Sequence, residues 1–198
     1  MMQTIKDEVR QRIIDAAREE FLAKGFENAS IRTIATKAKT SKSNLYNYFR
    51  DKDHLFYAIL EPTIFEIKKA IDEAKSYDME NGPESYTFEA QNHKISIVID
   101  FVTTHRDDLK LLLFGAKGSS LEGFKNGVIE GFTELLVAWI QKYMQGKEVS
   151  VFFVRSVANF YLSIIEQLVT VGVSREHPER IREEFVRFVY YGWKGVLQ

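Results

Sequence analysis

The sequence predicts an all-α protein of about nine helices, in which a three-helix domain is followed by a larger six-helix bundle. Three observations predict this fold. Apolar residues recur at helical spacing along almost the whole chain, runs of alternating strand-like residues are nearly missing, and only three prolines occur in 198 residues. The length suffices for one compact core with a small appended module, so we place the domain boundary between 1–52 and 53–198.

The first helix is predicted to run from about Lys6 to Lys24, because its apolar residues form a single stripe. Gly25 follows at the position where a left-handed residue ends a helix. Ser30 is placed to cap a short second helix, Ile31 to Ala38, whose apolar residues share one face. These elements predict the start of a small helical domain.

A tight turn, Lys39 to Ser41, separates the second helix from a third, about Lys42 to Phe49. We expect Leu45 and Phe49 to be buried. The other sides carry polar and aromatic groups that an ordinary core helix would not expose, namely Lys42, Ser43, Asn44, Tyr46, Asn47 and Tyr48. Residues 28 to 50 therefore have the signature of a helix-turn-helix, and the second helix of this motif is of a size that fits into the major groove of DNA.

A long fourth helix, capped by Asp51 and running to about Lys75, is predicted to connect the two domains. Pro62 lies inside it and deletes the hydrogen bond to the carbonyl of Ala58, so we expect a kink or a break. Two interpretations stay open: a bend fitted to the core, or a hinge that transmits a signal. Residues Ser76 to Ser85 are predicted to form a turn or loop.

Five further helices complete the chain and, with the fourth, can form a six-helix bundle around one core. Their predicted bounds are Tyr86 to His105, Asp107 to Ala116, Leu121 to Gln145, Val149 to Val171 and Pro178 to Val196. Pro178 suits the first position of the last helix.

The charges are unevenly distributed along the chain, although the net charge is only −1. Residues 1–55 carry eleven Lys and Arg against eight Asp and Glu, and residues 31–50 carry five against none. A small positive module on an acidic body is the electrostatic footprint of a DNA-binding protein.

Composition also limits the compartment and the chemistry. Cysteine is absent, which excludes disulfides, thiolate metal sites and thiol nucleophiles, and fits a reducing compartment. The charged segment Met1 to Arg12 lacks the apolar stretch of a signal peptide, so we expect a cytoplasmic protein. The segment Val149 to Val173 is long enough to cross a bilayer but carries charged and amide side chains. We therefore expect a buried helix and no membrane partner.

No sequence feature favours an enzyme. The chain lacks a phosphate-binding glycine loop, a nucleophile elbow, an HExxH motif and any carboxylate pair that the sequence brings together. His93 and His105 lie about 120° apart on one predicted helix, so they cannot jointly bind a metal. We expect no catalytic residue, no metal and no cofactor.

Three stretches resemble the DNA-binding domain of the TetR family of repressors. They are Ser30 to Ala38, the recognition-helix pattern Ser-Lys-small-small-Leu-Tyr-x-His/Tyr-Phe at Ser41 to Phe49, and a Lys-acidic-x-Leu start of the fourth helix within Asp51 to Phe56. The resemblance covers about Ile13 to Phe56; beyond it, only the helical layout and a C-terminal Phe-Val-Tyr-Tyr-Gly-Trp-Lys-Gly are similar. Lys39 departs from the pattern, because the family usually has glycine there, and costs roughly 1 kcal/mol if φ is positive.

Chemistry and resemblance together indicate a set of DNA-binding residues. The candidates are Arg32, Thr33, Ser41, Lys42, Ser43, Asn44, Tyr46, Asn47, Tyr48 and Lys52. The two lysines, the two tyrosines and Ser41 suit phosphate oxygens, which position the protein. Ser43, Asn44 and Asn47 suit base edges, and the Asn47 amide has the geometry to pair with adenine. For each residue the alternative is an ordinary solvated side chain.

The resemblance further implies an effector pocket among the fourth to eighth helices. The dense aromatic residues there favour a hydrophobic or aromatic small molecule, although each of them is also a candidate for the core. Glu166 could meet a cationic ligand, pair with an arginine such as Arg155, or lie at an edge. The candidate effector residues are Phe65, Ile97, Phe101, His105, Phe114, Phe132, Trp139, Phe160 and Glu166.

The resemblance also implies a homodimer, built on the eighth and ninth helices. The eighth helix is apolar on every side, which requires burial on two fronts, and a partner subunit would supply the second. The candidate interface residues are Val157, Tyr161, Ile164, Phe185, Phe188 and Trp193. Glycines recur every fourth residue in the seventh helix, at Gly123, Gly127 and Gly131, and each costs roughly 1 kcal/mol against alanine. We expect close helix packing there, with room for a ligand as the alternative.

The resemblance thus implies a homodimeric repressor of a double-stranded operator, released by an unknown small molecule. Two-fold symmetry would place two recognition helices roughly 34 Å apart on a near-palindromic site. Two alternatives remain: a DNA-binding regulator without an effector, and an all-helical interaction or carrier protein. The latter would show no salt-dependent affinity for DNA.

Overall fold

The computed structural model describes residues 2–172 and 178–197. Within those ranges it contains nine α-helices and no strand, which confirms the predicted all-α fold. The helices are α1 Met2–Asn28, α2 Ile31–Lys37, α3 Lys42–Tyr46, α4 Lys52–Asn81, α5 Phe88–Thr104, α6 Arg106–Lys110, α7 Phe124–Tyr143, α8 Val151–Thr170 and α9 Pro178–Leu197. A 3-10 segment, Gly82–Tyr86, follows α4, and a π-helical segment, Leu111–Gly115, follows α6.

The chain forms two compact units. The first consists of Met1–Glu66 and Asp107–Lys125, and the second of Ile67–Arg106 and Asn126–Gln198. The first unit therefore contains more than residues 1–52, because it includes the start of α4 and a segment from the middle of the chain. A functional boundary at residue 52 stays a prediction.

Gly25 interrupts α1, as its position predicts. Its φ of 70° and ψ of 171° divide the helix in two, and the helical hydrogen-bonding pattern resumes beyond it to Asn28. The change of direction brings Phe26 back into the core of the first unit, where its ring lies 6.1 Å from Phe21 and 5.2 Å from Phe56 between centroids. A side chain at this position would be strained, which accounts for the glycine.

Buried polar side chains join three helices of the first unit. Asp108 of α6 forms an ion pair with Arg18 of α1 and accepts a hydrogen bond from the Thr63 hydroxyl of α4 at 2.6 Å. Arg18 also donates to the carbonyl of Ile59 at 3.4 Å. Both carboxylate oxygens of Asp108 thus have partners, which offsets the cost of burying the charge.

The helix α4 runs unbroken past Pro62, whose side chain is exposed, and continues to Asn81. The prediction of a turn or loop over residues 76–85 is therefore wrong for residues 76–81, whereas residues 82–85 belong to the short 3-10 segment. Side chains of α7 cap the last carbonyls of α4: Trp139 and Lys142 each donate at 3.1 Å, to Asp78 and Met79 respectively. These contacts depend on residues more than 60 positions away, so the local turn signals did not reveal them.

The core of the second unit is built from α7, α8 and α9. Its buried residues are Leu136, Trp139, Ile140, Val154 and Trp193. The predicted glycine stripe of α7 does not take part in it. A Cβ added at Gly123, Gly127 or Gly131 would meet nothing within 4 Å in the described part of the chain, so the expected close packing is wrong within the protomer.

In the described ranges, every helix is either too short or too polar to span a membrane.

Candidate nucleic-acid interface

The two short helices α2 and α3 are fixed by apolar contacts beneath and by side-chain caps at their starts. Ile34 and Leu45 are fully buried. Ser30 accepts a hydrogen bond from the Thr33 backbone at 3.4 Å, and Ser41 accepts one from Asn44 at 3.1 Å. Each cap satisfies a backbone N–H that a short helix would otherwise leave without a partner.

The third helix ends earlier than predicted, at Tyr46 instead of Phe49. Tight hydrogen bonds close its end: Asn47 donates to the carbonyl of Asn44 at 3.1 Å, and Tyr48 donates to that of Leu45 at 3.0 Å. Phe49 is nevertheless buried, as predicted: it is 1% exposed, and its backbone N–H donates to the Leu45 carbonyl at 3.1 Å.

Polar side chains of the turn and of α3 form a connected row on the exposed side. The Ser41 and Ser43 hydroxyls lie 3.0 Å apart, and the Asn44 amide donates to the Thr40 hydroxyl at 2.8 Å. The Asn47 amide donates to the side-chain oxygen of Asn44 at 3.3 Å. The structure thus brings Ser43, Asn44 and Asn47 together, in orientations that are already restricted before any partner binds.

An aromatic and cationic pair lies beside this row. The Lys42 ammonium is 5.8 Å from the centroid of the Tyr46 ring, and Tyr46 is 40% exposed. Tyr48 is half-buried. Such a pair offers a charge and a hydroxyl to an anion on the surface.

The basic residues of this region differ in how far they are neutralised. Arg32, Lys39 and Lys42 are exposed, and in the described part of the chain no acidic side chain lies within ion-pair distance of them. Lys37 lies 3.5 Å from Glu19, and Arg50 lies 2.8 Å from Asp51. The available positive charge is therefore concentrated at the turn and at the start of α3.

The carboxylate of Asp51 caps α4, as predicted. It accepts a hydrogen bond from the backbone N–H of His54 at 2.7 Å and another from Arg50. These two hydrogen bonds stabilise the charged form and lower the pKa of Asp51.

Lys52 has a different role from the predicted phosphate contact. Its Nζ donates to three carbonyl oxygens at and just beyond the end of α1, those of Phe26 (2.7 Å), Glu27 (3.3 Å) and Ala29 (3.3 Å). It also lies 4.4 Å from the centroid of the Phe26 ring. All three ammonium protons thus have acceptors within the protein, and Lys52 fastens α1 to α4.

Glu20 is a polar residue of this region that the sequence analysis missed. It is 2% exposed, accepts a hydrogen bond from the backbone N–H of Ser30 at 3.3 Å and pairs with Lys24 at 2.8 Å. The hydrogen bond from Lys24 has the largest effect in lowering the pKa of Glu20, against the opposing effect of burial. A carboxylate beside Phe21 on the apolar side of α1 was the available signal.

The candidate effector residues divide between the two units. Phe65 and Phe114 belong to the first unit and are exposed, whereas the other seven belong to the second. In the second unit, Phe101 stacks on His105 at 4.3 Å between ring centroids, and Phe132 contacts Tyr161 edge to face. Ile97 is 50% exposed.

The last three effector candidates have varied environments. Trp139 is 1% exposed and belongs to the core. Phe160 lies on an exposed face of α8 and α9, and the side chain of Glu166 is half-buried on α8. Arg155, considered as a partner for Glu166, forms an ion pair with Glu130 at 3.7 Å.

The candidate dimer residues divide between the core and an exposed aromatic face. Trp193 is 6% exposed, and its indole N–H donates to the Tyr161 hydroxyl at 2.8 Å. Val157, Ile164 and Phe185 are half-buried. Phe160 and Phe188 contact each other at 5.4 Å and remain exposed; we define the aromatic face as Phe152, Phe153, Phe160, Phe188 and Tyr191.

A capped helical hairpin that exposes a polar second helix beside un-neutralised basic residues defines a helix-turn-helix protein. Residues 13–59 match the family described as bacterial regulatory proteins, tetR family. The helix-turn-helix segment of this chain is therefore similar to the DNA-binding domain of that family.

Curated relatives share mainly this domain. The transcriptional regulator UidR of Escherichia coli is 41% identical over 59 residues, and the match covers 30% of each chain. The uncharacterized regulator YhgD of Bacillus subtilis is 27% identical over 100 residues, which is 50% of this chain and 49% of that one. The matched segment thus spans about 30% of UidR and about half of YhgD.

Solved structures extend the likeness of fold to the whole chain. A TetR-like regulator from a Rhodococcus species has a TM-score of 0.67 at 20% identity and covers 94% of this chain and 96% of its own. NalD of Pseudomonas aeruginosa has a TM-score of 0.67 at 17% identity, with coverage of 96% and 97%. These proteins are described as transcriptional regulators or repressors and not as enzymes.

Proposed function

We propose that this protein is a homodimeric transcriptional repressor that binds a near-palindromic operator and is released by a hydrophobic or aromatic small molecule. The exposed polar row of α3, flanked by un-neutralised lysines, is the observation that carries the DNA-binding part. The Asn44 and Asn47 amides of this row are held by hydrogen bonds to Thr40 and to each other, which restricts their orientation on the exposed side.

The contacts divide by chemistry. Lys42, Tyr46, Tyr48 and Ser41 bind phosphate oxygens and position the domain. Ser43, Asn44 and Asn47 read base edges in the major groove, with Asn47 as the candidate partner of adenine. Arg32 and Thr33 of α2 complete the set. Lys52 is left out, because its ammonium protons have acceptors within the protein.

The aromatic face supports dimerisation. Phe188 is 60% exposed and Phe152 82% exposed in the single chain, and exposed aromatic side chains on α8 and α9 favour contact with another protein. A second copy of the chain, related by two-fold symmetry, would cover both helices and present two recognition helices to one operator.

The proposal of repression and effector release rests on the similarity of this chain to other regulators. NalD is described as the secondary repressor of a multidrug efflux pump, and a Mycobacterium tuberculosis relative, 36% identical over 50 residues, is described as a transcriptional repressor. In this protein, the effector would stabilise a conformer with wrongly spaced recognition helices, and α4 near Pro62 would transmit the change.

The decisive experiment is selection of DNA from a random duplex library by the purified protein at two salt concentrations. We expect enrichment of a near-palindromic site and an affinity that falls steeply with salt. If no sequence is enriched at either salt concentration, the interaction or carrier alternative replaces the proposal.

The contact assignment is tested with Lys42→Ala and Tyr46→Ala, and with Lys68→Ala as a control on an exposed lysine outside the helix-turn-helix. We expect each of the first two to weaken binding about tenfold without unfolding the protein, and Lys42→Ala also to reduce the salt slope by about one. Unchanged affinity in both would contradict the assignment.

A further inference from the structure

Lys39 occupies a backbone conformation that favours glycine. Its φ is +54°, and among the described residues it is the only non-glycine residue with a positive φ. It ends α2, since the Lys39 N–H donates to the Thr36 carbonyl at 3.1 Å and the following Thr40 N–H reaches back to the Ala35 carbonyl at 3.0 Å. This is the position after a helix where glycine is preferred, because a Cβ is strained there.

Among the described residues, Lys39 forms no ion pair that would offset this strain, although its side chain lines a surface groove with Asp15 and Glu19. It is exposed, and in the described ranges its ammonium has no acidic residue within ion-pair distance. Lys37, two positions earlier, shows the alternative, since it lies 3.5 Å from Glu19 and 3.9 Å from Glu20. Lys39 therefore contributes nothing evident to folding that glycine would not contribute better.

The location of Lys39 supplies a reason for its presence. It lies in the turn of the helix-turn-helix, two residues before Ser41, the cap of α3. Lys39 and Lys42 thus flank that cap, and neither is neutralised by the protein. An ammonium group at the edge of a groove-binding helix is positioned for the DNA backbone and not for the bases.

We propose that Lys39 is an additional phosphate contact of the DNA-binding face, present in a strained turn because its charge is needed there. The assignment rests on the proposed function, since it requires that α3 binds DNA. It predicts that DNA affinity and stability change in opposite directions when Lys39 is replaced by glycine.

Three substitutions separate charge from strain. Lys39→Gly removes both, Lys39→Gln removes the charge and keeps the strain, and Lys39→Arg keeps both. The probe is a random-sequence duplex of 30 base pairs, because a phosphate contact does not depend on sequence. Affinity is measured at several salt concentrations, thermal unfolding is measured in parallel, and Lys68→Gln serves as the control.

We expect Lys39→Gly and Lys39→Gln to bind the duplex three- to tenfold more weakly, with a salt slope reduced by about one, and Lys39→Arg to bind as the parent does. Only Lys39→Gly should raise Tm, by about 2–4 °C. The assignment is overturned if Lys39→Gly and Lys39→Gln bind like the parent while Lys42→Ala is weakened. If the parent protein itself shows no salt-dependent binding, the proposed function fails.

Discussion

The helix-turn-helix and the α8–α9 region present opposite kinds of surface. On α3 the exposed side chains are polar and are held by one another, as in the 2.8 Å hydrogen bond from Asn44 to Thr40. On α8 and α9 the exposed side chains are aromatic, and Phe152 is 82% exposed. The first surface is complete in the single chain, whereas the second exposes apolar area to water.

This difference shows which parts of the molecule are determined locally. The polar surface depends on caps and turns that involve neighbouring residues, so it forms without a partner. Under the proposed function, a second copy of the chain covers the aromatic surface. The two regions should therefore respond to mutation in different ways.

The largest effect is expected in the core of the second unit. Trp139→Ala should lower the free energy of unfolding by about 3–5 kcal/mol, because it leaves a large cavity and removes the donor to the Asp78 carbonyl. Denaturant unfolding measures the change, and Trp139→Phe separates loss of the ring from loss of the hydrogen bond. A change below about 1 kcal/mol would indicate that the residue lines a cavity, as the effector prediction supposed.

A substitution in the aromatic face should weaken dimer association without changing the stability of the fold. Phe188→Ser should raise the dimer dissociation constant at least tenfold, since burial of a phenylalanine contributes about 1.5–3 kcal/mol. Analytical ultracentrifugation measures the constant. Phe65→Ser, at a phenylalanine 68% exposed in the first unit, is the matched control. Equal dimerisation of both variants and the parent would exclude this face from the interface.

Breaking the partly buried ion pair of the first unit should cause a smaller loss of folding free energy. Asp108→Asn leaves Arg18 without its charged partner and should cost about 2 kcal/mol, less than a fully buried pair because Arg18 is about one-third exposed. Asp107→Asn, at the exposed neighbouring position, is the control in the same unfolding assay. If both variants lose the same stability, Asp108 does not join these helices.

The smallest effect concerns pH. Because the folded pKa of Glu20 is lowered, its charge stabilises the protein above the ordinary glutamate pKa, about 4.3, and this contribution is lost as pH falls through the folded value. Glu20→Gln should therefore be less stable than the parent at pH 7, by under about 1 kcal/mol, and this difference should shrink as the pH falls below the ordinary glutamate pKa. Glu19→Gln, at an exposed carboxylate, should change little at pH 7 or at pH 3. A difference that persists unchanged at pH 3 would contradict the electrostatic explanation.

Sequence reasoning succeeded where structure is set by near neighbours. Ser30 and Asp51 begin helices as expected and Gly25 interrupts α1 at the predicted position, because the relevant hydrogen bonds and backbone angles involve residues a few positions apart. The cap by Ser41 is equally local, although it was not predicted. The left-handed turn at Lys39 was visible in the same way, through its departure from glycine.

Sequence reasoning failed where contacts with residues far away in the sequence determine the local structure. The end of α4 stays helical because Trp139 and Lys142 of α7 donate to its carbonyls, while the local Asn-Gly-Pro favoured a loop. Lys52 was predicted to contact a phosphate, whereas its ammonium group donates to the carbonyl of Phe26 at 2.7 Å. Apolar residues were harder still, since periodicity does not distinguish the buried Trp193 from the exposed Phe188.

The ion pair at Asp108 also bears on the order in which the protein is completed during synthesis. Domains generally fold as units, the N-terminal one first, as the ribosome releases the chain. Arg18 and Thr63 both contact Asp108, which lies 90 positions after Arg18 and 45 positions after Thr63 in the sequence. These contacts can form only after Asp108 has been synthesised. The first unit can therefore be completed only after α5, which belongs to the second unit, has been translated.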